Sequence, residues 1–201
     1  MLVIGGLLSR NRHTMICFFI MLSEACHAQL SSDNVADGCY FFTVNLLERQ
    51  HTLLTDHIDL LRNSVRRVRR IYPFHIDAWV VLPDHLHCIW TLPPDTDDFP
   101  VRWRLIKLLL SKGLPRTERL SATQKRRVER GIWQRRYWEH TILTERDYAQ
   151  HINYILVNPL KHGYVKRVCD WPYSTFHRYV ADGILPVDWC GDMIDLPTVS
   201  E

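Results

Sequence analysis

Phe74-His-Ile-Asp-Ala-Trp-Val-Val-Leu-Pro-Asp-His-Leu-His-Cys-Ile-Trp-Thr-Leu92 is the stretch that decides the fold. Two runs rich in β-branched and aromatic residues flank Pro83-Asp84, a pair suited to a turn. The stretch therefore reads as a hairpin of two central strands, 74–82 and 85–92. Pro73 breaks the chain before it, and Pro93-Pro94 followed by 95–98 ends it. Upstream, Tyr40-Phe-Phe-Thr-Val-Asn-Leu46 has strand composition. A helix over 55–70, capped by Thr55, buries Leu60, Leu61, Val65 and Val68 and leaves Arg62, Arg66, Arg69 and Arg70 on a solvated face. Downstream, residues 101–111 form a helix with Trp103, Ile106, Leu109 and Leu110 apolar, and 113–130 is a polar, basic loop. Residues 131–140 read as a fourth strand. Thr144 with Asp147 resembles a capping box, and its helix runs to Asn158, where Pro159 is expected to stop it. Gly163 ends the next turn, and the aromatic stretch 170–179 packs back on the domain. The order β-α-β-β-α-β plus a further helix predicts an α+β, ferredoxin-like antiparallel sheet, with helices on one face and an extra helix.

With 201 residues, the chain suits one domain with appendages. The expected division is an atypical N-terminal extension (1–37), a catalytic domain (38–192) and a tail (193–201). Hydrophobic residues at 46% and charged residues at 23% are ordinary for a globular protein, and the net charge of +3 says little about partners. Charge distribution says more. Twelve of the 25 Lys and Arg residues fall between Pro100 and Arg136, opposed only by Glu118 and Glu129, while the rest of the chain is net acidic. That segregation suits a polyanion. Arg102, Arg104, Arg116, Lys125, Arg126, Arg127, Arg135 and Arg136 are the candidates to hold a nucleic-acid backbone. The six cysteines show no C-x-x-C spacing, which excludes a zinc knuckle and a dithiol redox motif, and they read as reduced thiols. Arg10 and Arg12 before the apolar run 15–22 give the N-terminus the outline of a signal peptide, too short to span a bilayer. It is expected to be a spurious or dispensable extension of a cytoplasmic, nucleoid-associated protein that engages no membrane.

The chemistry-bearing residues sit on two elements. His85 and His87 are two apart in a strand, so both imidazoles share one face and can converge on one ion. On the later helix Tyr148, Ile152, Ile155 and Leu156 form an apolar stripe. Asp147, His151, Tyr154 and Asn158 form another, with Tyr154 and Asn158 one turn apart. Imidazoles from His85 and His87 with the Asn158 carbonyl make a mixed N/O set that suits Mg²⁺ or Mn²⁺ better than a closed zinc site. Tyr154 can then attack a polarised phosphate. Tyr148 reads as core. His140, His151 and Glu139 read as neighbours of the site rather than ligands, and Lys161 and His162 as facing phosphate or solvent.

From Tyr40 to Asp192 these motifs resemble the REP-associated tyrosine transposases, single-tyrosine enzymes of the HUH class. The matching stretches are 40–46, Ala78-Trp-Val-Val-Leu-Pro-Asp-His-Leu-His-Cys-Ile-Trp-Thr-Leu92, Gly131-Ile-Trp-Gln-Arg-Arg-Tyr-Trp-Glu-His140, Asp147-Tyr148, His151-Ile-Asn-Tyr-Ile-Leu-Val-Asn-Pro-Leu-Lys-His-Gly163 and Asp170-Trp-Pro-Tyr-Ser-Thr-Phe-His-Arg178. The resemblance implies that His85 and His87 are the HUH pair, Tyr154 the nucleophile carried by the extra helix, and Asn158 the third metal ligand. It further implies cleavage of single-stranded DNA through a 5′-phosphotyrosine at hairpin-forming palindromes. The expected state is a monomer or homodimer. Residues 31–37 depart from the family's basic, aromatic approach to the first strand. Two other functions remain open at this point: a hairpin-DNA-binding protein without catalysis, and another HUH endonuclease such as a replication initiator.

Overall fold

The alternation in the quoted stretch becomes a two-sided sheet in the computed structural model, which describes residues 38–49, 52–116, 120, 126, 130–191 and 197. Segment 1–37, with Lys125 and Arg127 of the basic stretch, lies outside the described residues. The elements are β1 (Cys39–Asn45), α1 (Leu53–Asp56), α2 (Ile58–Ile71), β2 (His75–Val81), β3 (His85–Thr91), α3 (Phe99–Gly113), β4 (Trp138–Thr141), α4 (Glu145–Lys161), a 3₁₀ turn (Val168–Asp170) and α5 (Phe176–Ala181). The strands lie in the order β2-β3-β1-β4, every pairing antiparallel. This is the expected α+β, ferredoxin-like arrangement.

Because side chains alternate along a strand, the register β1–β3 sorts residues onto two faces. Phe42, Val44, Leu86, Cys88 and Trp90 face α2 and α3, where Leu61, Val65, Val68, Trp103, Ile106 and Leu110 complete a core. Trp90 and Trp103 stack there at 4.1 Å between ring centroids. Truncating Trp103, 1% exposed, to alanine should cost about 3–5 kcal/mol. Phe41, Val80, Ile89 and Ala78 face the other way, against Ile152, Ile155 and Leu156 of α4 and Phe176 and Tyr179 of α5. The extra helix thus covers the sheet face opposite α2 and α3, and it is the face that carries His85 and His87.

Strand β2 is an edge, and the tail closes it. The Val81 N–H donates to the Tyr173 carbonyl (2.9 Å), the Thr175 N–H to the Trp79 carbonyl (2.8 Å) and the Trp171 indole N–H to the Val81 carbonyl (3.0 Å). These bonds occupy groups that an open edge would offer to another chain.

Three local expectations need correction. Thr55 does not cap a helix; its hydroxyl donates to the Thr52 carbonyl (2.9 Å), and the helical segment starts at Leu53 and breaks at His57. The fourth strand shrinks to four residues, with only an isolated Leu46–Trp133 bridge upstream. Pro159 does not stop α4, which runs on to Lys161. In the final turn a proline forfeits one N–H without having to break the helix that follows. The actual stop is Gly163 at φ 71°, with the Gly163 N–H on the Leu160 carbonyl and the Tyr164 N–H on the Pro159 carbonyl, both 3.0 Å. That is a Schellman closure with glycine in the left-handed position. At the other end Thr144 caps α4 as expected, its Oγ accepting from the Asp147 N–H at 3.1 Å.

Candidate active site and metal centre

Strand β3 delivers His85 and His87 side by side onto the α4 face, buried at 1% and 0% exposure, with ring centroids 4.9 Å apart. Each ring is held through Nδ1. His85 Nδ1 meets Asp84 Oδ1 at 2.7 Å, and Asp84 Oδ2 accepts from Arg49 Nε at 2.7 Å. Burial pushes the Asp84 carboxyl up, but the bonds to His85 and Arg49 outweigh it and hold the group down at about 2. His87 Nδ1 lies 2.9 Å from Thr43 Oγ1, its cross-strand partner in the β1–β3 register. Burial, with the positive charge of neighbouring His85, His162, Lys161 and Arg49, keeps His87 well below the usual imidazole range, and so neutral. Both rings are anchored through Nδ1, the way a neighbouring group orients a metal-binding histidine.

Those Nε2 atoms are buried and have no hydrogen-bond partner, and neither has the Asn158 side-chain amide, oxygen or nitrogen. Leaving such groups unsatisfied costs about 1–3 kcal/mol each. Two imidazole nitrogens and a carbonyl oxygen left open at the predicted ligand positions fit a divalent cation in their chemistry. Asn158 is fully buried, one turn beyond Tyr154 on α4. The Tyr154 ring stands edge-on to His87 at 5.1 Å, and the Lys161 ammonium sits 4.9 Å above it.

Tyr154 itself is only 1% exposed. The two-stripe reading of its helix fails here, because residues 151–159 are buried all round. Helix α4 lies across β2 and β3 and is flanked by the 3₁₀ turn, so its second stripe meets the histidine-bearing sheet face instead of solvent. Tyr148 is half-buried in the core as expected, its hydroxyl 3.4 Å from Asp77.

The basic stretch divides. Arg104, Arg116, Arg126, Arg135, Arg136 and Lys161 are exposed. Arg102 is not a DNA contact here: it is 2% exposed, paired with Asp98 and donating to the Pro73 carbonyl at 2.9 Å, where it ties α3 to the end of α2. Lys107 and Arg130 also turn inward. Lys107 donates to the Gln134 carbonyl (3.2 Å), and burial lowers it to about 8; Arg130 donates to the carbonyls of Leu114 and Pro115. Counting charges along the sequence therefore overstated the available cationic face.

Sequence reasoning missed Asp84, Arg49 and Thr43. Asp84 had been read only as a turn residue, though a carboxylate next to a strand histidine was a usable signal. Thr43 becomes visible only once the register is known, and Arg49 carried no signal. Glu139 pairs with Phe42 and so shares the opposite sheet face. His140 and His151 do not reach His85 and His87. They meet Asp147 instead, in the one group of three His, Cys, Asp or Glu ligand atoms lying within 4.8 Å of one another among the described residues.

No protein-family model matches the chain. Individual relatives do. The chain is 49% identical over 163 residues to a REP-associated tyrosine transposase of Escherichia coli (strain K12), covering 80% of this chain and 90% of that protein. It is 42% identical over 161 residues to a putative REP-associated tyrosine transposase of Haemophilus influenzae, covering 80% and 92%. Among solved structures it is similar to a REP-associated tyrosine transposase bound to a REP hairpin, with TM-score 0.67 and 44% identity over 85% of this chain and 97% of the other.

Proposed function

The chain belongs to the REP-associated tyrosine transposases, and we propose that it cuts and rejoins single-stranded DNA at hairpin-forming palindromes, with Tyr154 as nucleophile. The observation that carries this reading is the pair of unpartnered Nε2 atoms of His85 and His87, one of whose rings abuts Tyr154 at 5.1 Å. His85, His87 and Asn158 would hold Mg²⁺ or Mn²⁺, which supplies Lewis acidity toward a phosphate oxygen when bound.

The side chains do the rest. Tyr154 Oη forms a bond to phosphorus, the bond from phosphorus to the 3′ oxygen breaks, and the departing 3′ oxygen takes a proton. The product is a 5′-phosphotyrosine and a free 3′-OH, so the energy of the phosphodiester is kept and a 3′-OH can reverse the step. An unperturbed phenol titrates near 10. The Lys161 ammonium lies over the Tyr154 ring, 4.9 Å from its centre, where it can meet the phosphate that the hydroxyl attacks. Asp84 and Thr43 fix the imidazoles, and Arg49 fixes Asp84. With Tyr154 at 1% exposure, a scissile phosphate reaches the hydroxyl only after covering groups move, so DNA binding precedes assembly of the reacting geometry. Arg104, Arg116, Lys125, Arg126, Arg127, Arg135, Arg136 and Lys161 are assigned to the DNA backbone. No helix of the described residues is long and apolar enough to cross a membrane; the proposed site of action is chromosomal DNA in the cytoplasm.

The test is incubation with labelled single-stranded DNA carrying a palindromic repeat from beside the gene, in Mg²⁺ or Mn²⁺. The expected result is a covalent adduct on a denaturing gel that disappears with chelator and in Tyr154→Phe. Tight binding with no adduct would leave a hairpin-binding protein, and an adduct that persists in Tyr154→Phe would refute the assignment.

A further inference from the structure

A second cluster of metal-ligating side chains lies on the same sheet face, outside the active site. His140 comes from β4, Asp147 from the first turn of α4 and His151 from the next turn. His140 Nε2 lies 2.8 Å from Asp147 Oδ2, and His151 Nδ1 lies 2.9 Å from Asp147 Oδ1. The two imidazoles stack at 4.9 Å and 20°. His151 is 3% exposed and keeps its Nε2 buried without a partner, while the His140 and Asp147 side chains are 36% and 23% exposed and open the cluster to solvent. From these three residues we infer a second divalent-cation site of the two-histidine, one-carboxylate type, suited to Zn²⁺, that clamps β4 to the start of the nucleophile helix.

Geometry and chemistry agree on this. A tetrahedral ion with bonds of about 2.0–2.1 Å needs ligand atoms about 3.4 Å apart. His140 Nε2 to Asp147 Oδ2 at 2.8 Å and His151 Nδ1 to Asp147 Oδ1 at 2.9 Å lie within about 0.6 Å of that value. The Asp147 carboxylate holds the three groups together, and His151 Nδ1 also lies 2.9 Å from the Asp147 carbonyl oxygen, a contact that an ion bound at that nitrogen would displace. Burial, partly offset by Asp147, lowers His151 below the usual imidazole range, which leaves it a neutral ligand at neutral pH. Imidazole-rich sets favour zinc and neighbouring transition metals, whereas magnesium prefers oxygen. The site is separate from the active centre, because the Phe41 ring stands between them, 4.6 Å from the His151 ring, 5.7 Å from His87 and 6.0 Å from Tyr154. Its role is mechanical: β4 is a four-residue edge strand, and a cross-link from it to α4 would stiffen the helix that aims Tyr154.

The test uses the full chain without DNA, titrated with Co²⁺ as a visible probe and then with Zn²⁺ in competition, alongside thermal unfolding. Wild type and His87→Ala should both show the absorption of low-coordinate Co²⁺, lose it to Zn²⁺, and gain in Tm with Zn²⁺. His140→Ala, at a half-exposed position, and the isosteric Asp147→Asn should lose the absorption and the Tm gain. Retention of both signals in His140→Ala and Asp147→Asn, their loss in His87→Ala alone, or no Co²⁺ signal in wild type would each overturn the proposal.

Discussion

Replacing Asp84 with asparagine isolates the group that orients His85. Its carboxylate accepts from His85 Nδ1 at 2.7 Å and from Arg49 at 2.7 Å, and its side chain is 8% exposed. Holding this carboxyl at about 2 instead of 3.8 corresponds to about 2 kcal/mol favouring the charged form. If that energy is transmitted to the basicity of His85 Nε2, cation affinity falls roughly 30-fold, inside the 10–100-fold expected for a group behind a metal ligand. Mn²⁺ binding by the protein without DNA, followed by electron paramagnetic resonance, reads this directly. Adduct formation should fall at low Mn²⁺ and recover at high Mn²⁺. The stability that Asp84 contributes has a defined pH window: its pKa is depressed on folding, so the contribution is full above about 3.8 and is lost as pH falls through about 2. Wild type and variant should therefore converge in stability toward pH 2. Unchanged Mn²⁺ affinity, or an activity loss that no Mn²⁺ concentration restores, would refute this role.

Arg102→Ala should destabilise the fold by about 1–3 kcal/mol, because it leaves the Pro73 carbonyl without its donor and removes a buried side chain, while its partner Asp98 is half-exposed. Arg104→Ala should change stability by less than about 0.5 kcal/mol, yet lower the salt slope of DNA binding by about 1. Denaturant melts and binding at several salt concentrations separate the two. Lys161→Ala should weaken binding and reduce the salt slope; an unchanged slope would count against a phosphate contact. Gly163→Ala meets no atom within 4 Å but must adopt φ 71°, so it should cost about 1–2 kcal/mol through backbone strain alone, measured by urea unfolding.

The strands were legible because burial on one or both faces writes a pattern along the chain. The hairpin at 74–92 and the first strand gave the sheet, and Thr144 announced the start of α4. The His85–His87 pair was equally legible, since a spacing of two on a strand already fixes a shared face. Legibility failed where tertiary contact decided the outcome. Tyr154 looked half-solvated on a helical wheel because its covering partner is a sheet face built from distant residues. Arg102 looked like a phosphate ligand because its partner Asp98 and the Pro73 carbonyl are brought to it by packing. Asp147 was visible as part of a cap, but its meeting with His140 and His151 depends on how β4 leads into α4.

The most direct test of the central claim is to map the covalent adduct. Tyr148 and Tyr154 fall in the same tryptic segment, 147–161, so fragmentation by mass spectrometry must place the nucleotide within it. The account predicts a 5′-linked phosphonucleotide on Tyr154, formed only with divalent cation and absent from His87→Ala. Its appearance on Tyr148 or on any other tyrosine, or its formation in the presence of chelator, would contradict it.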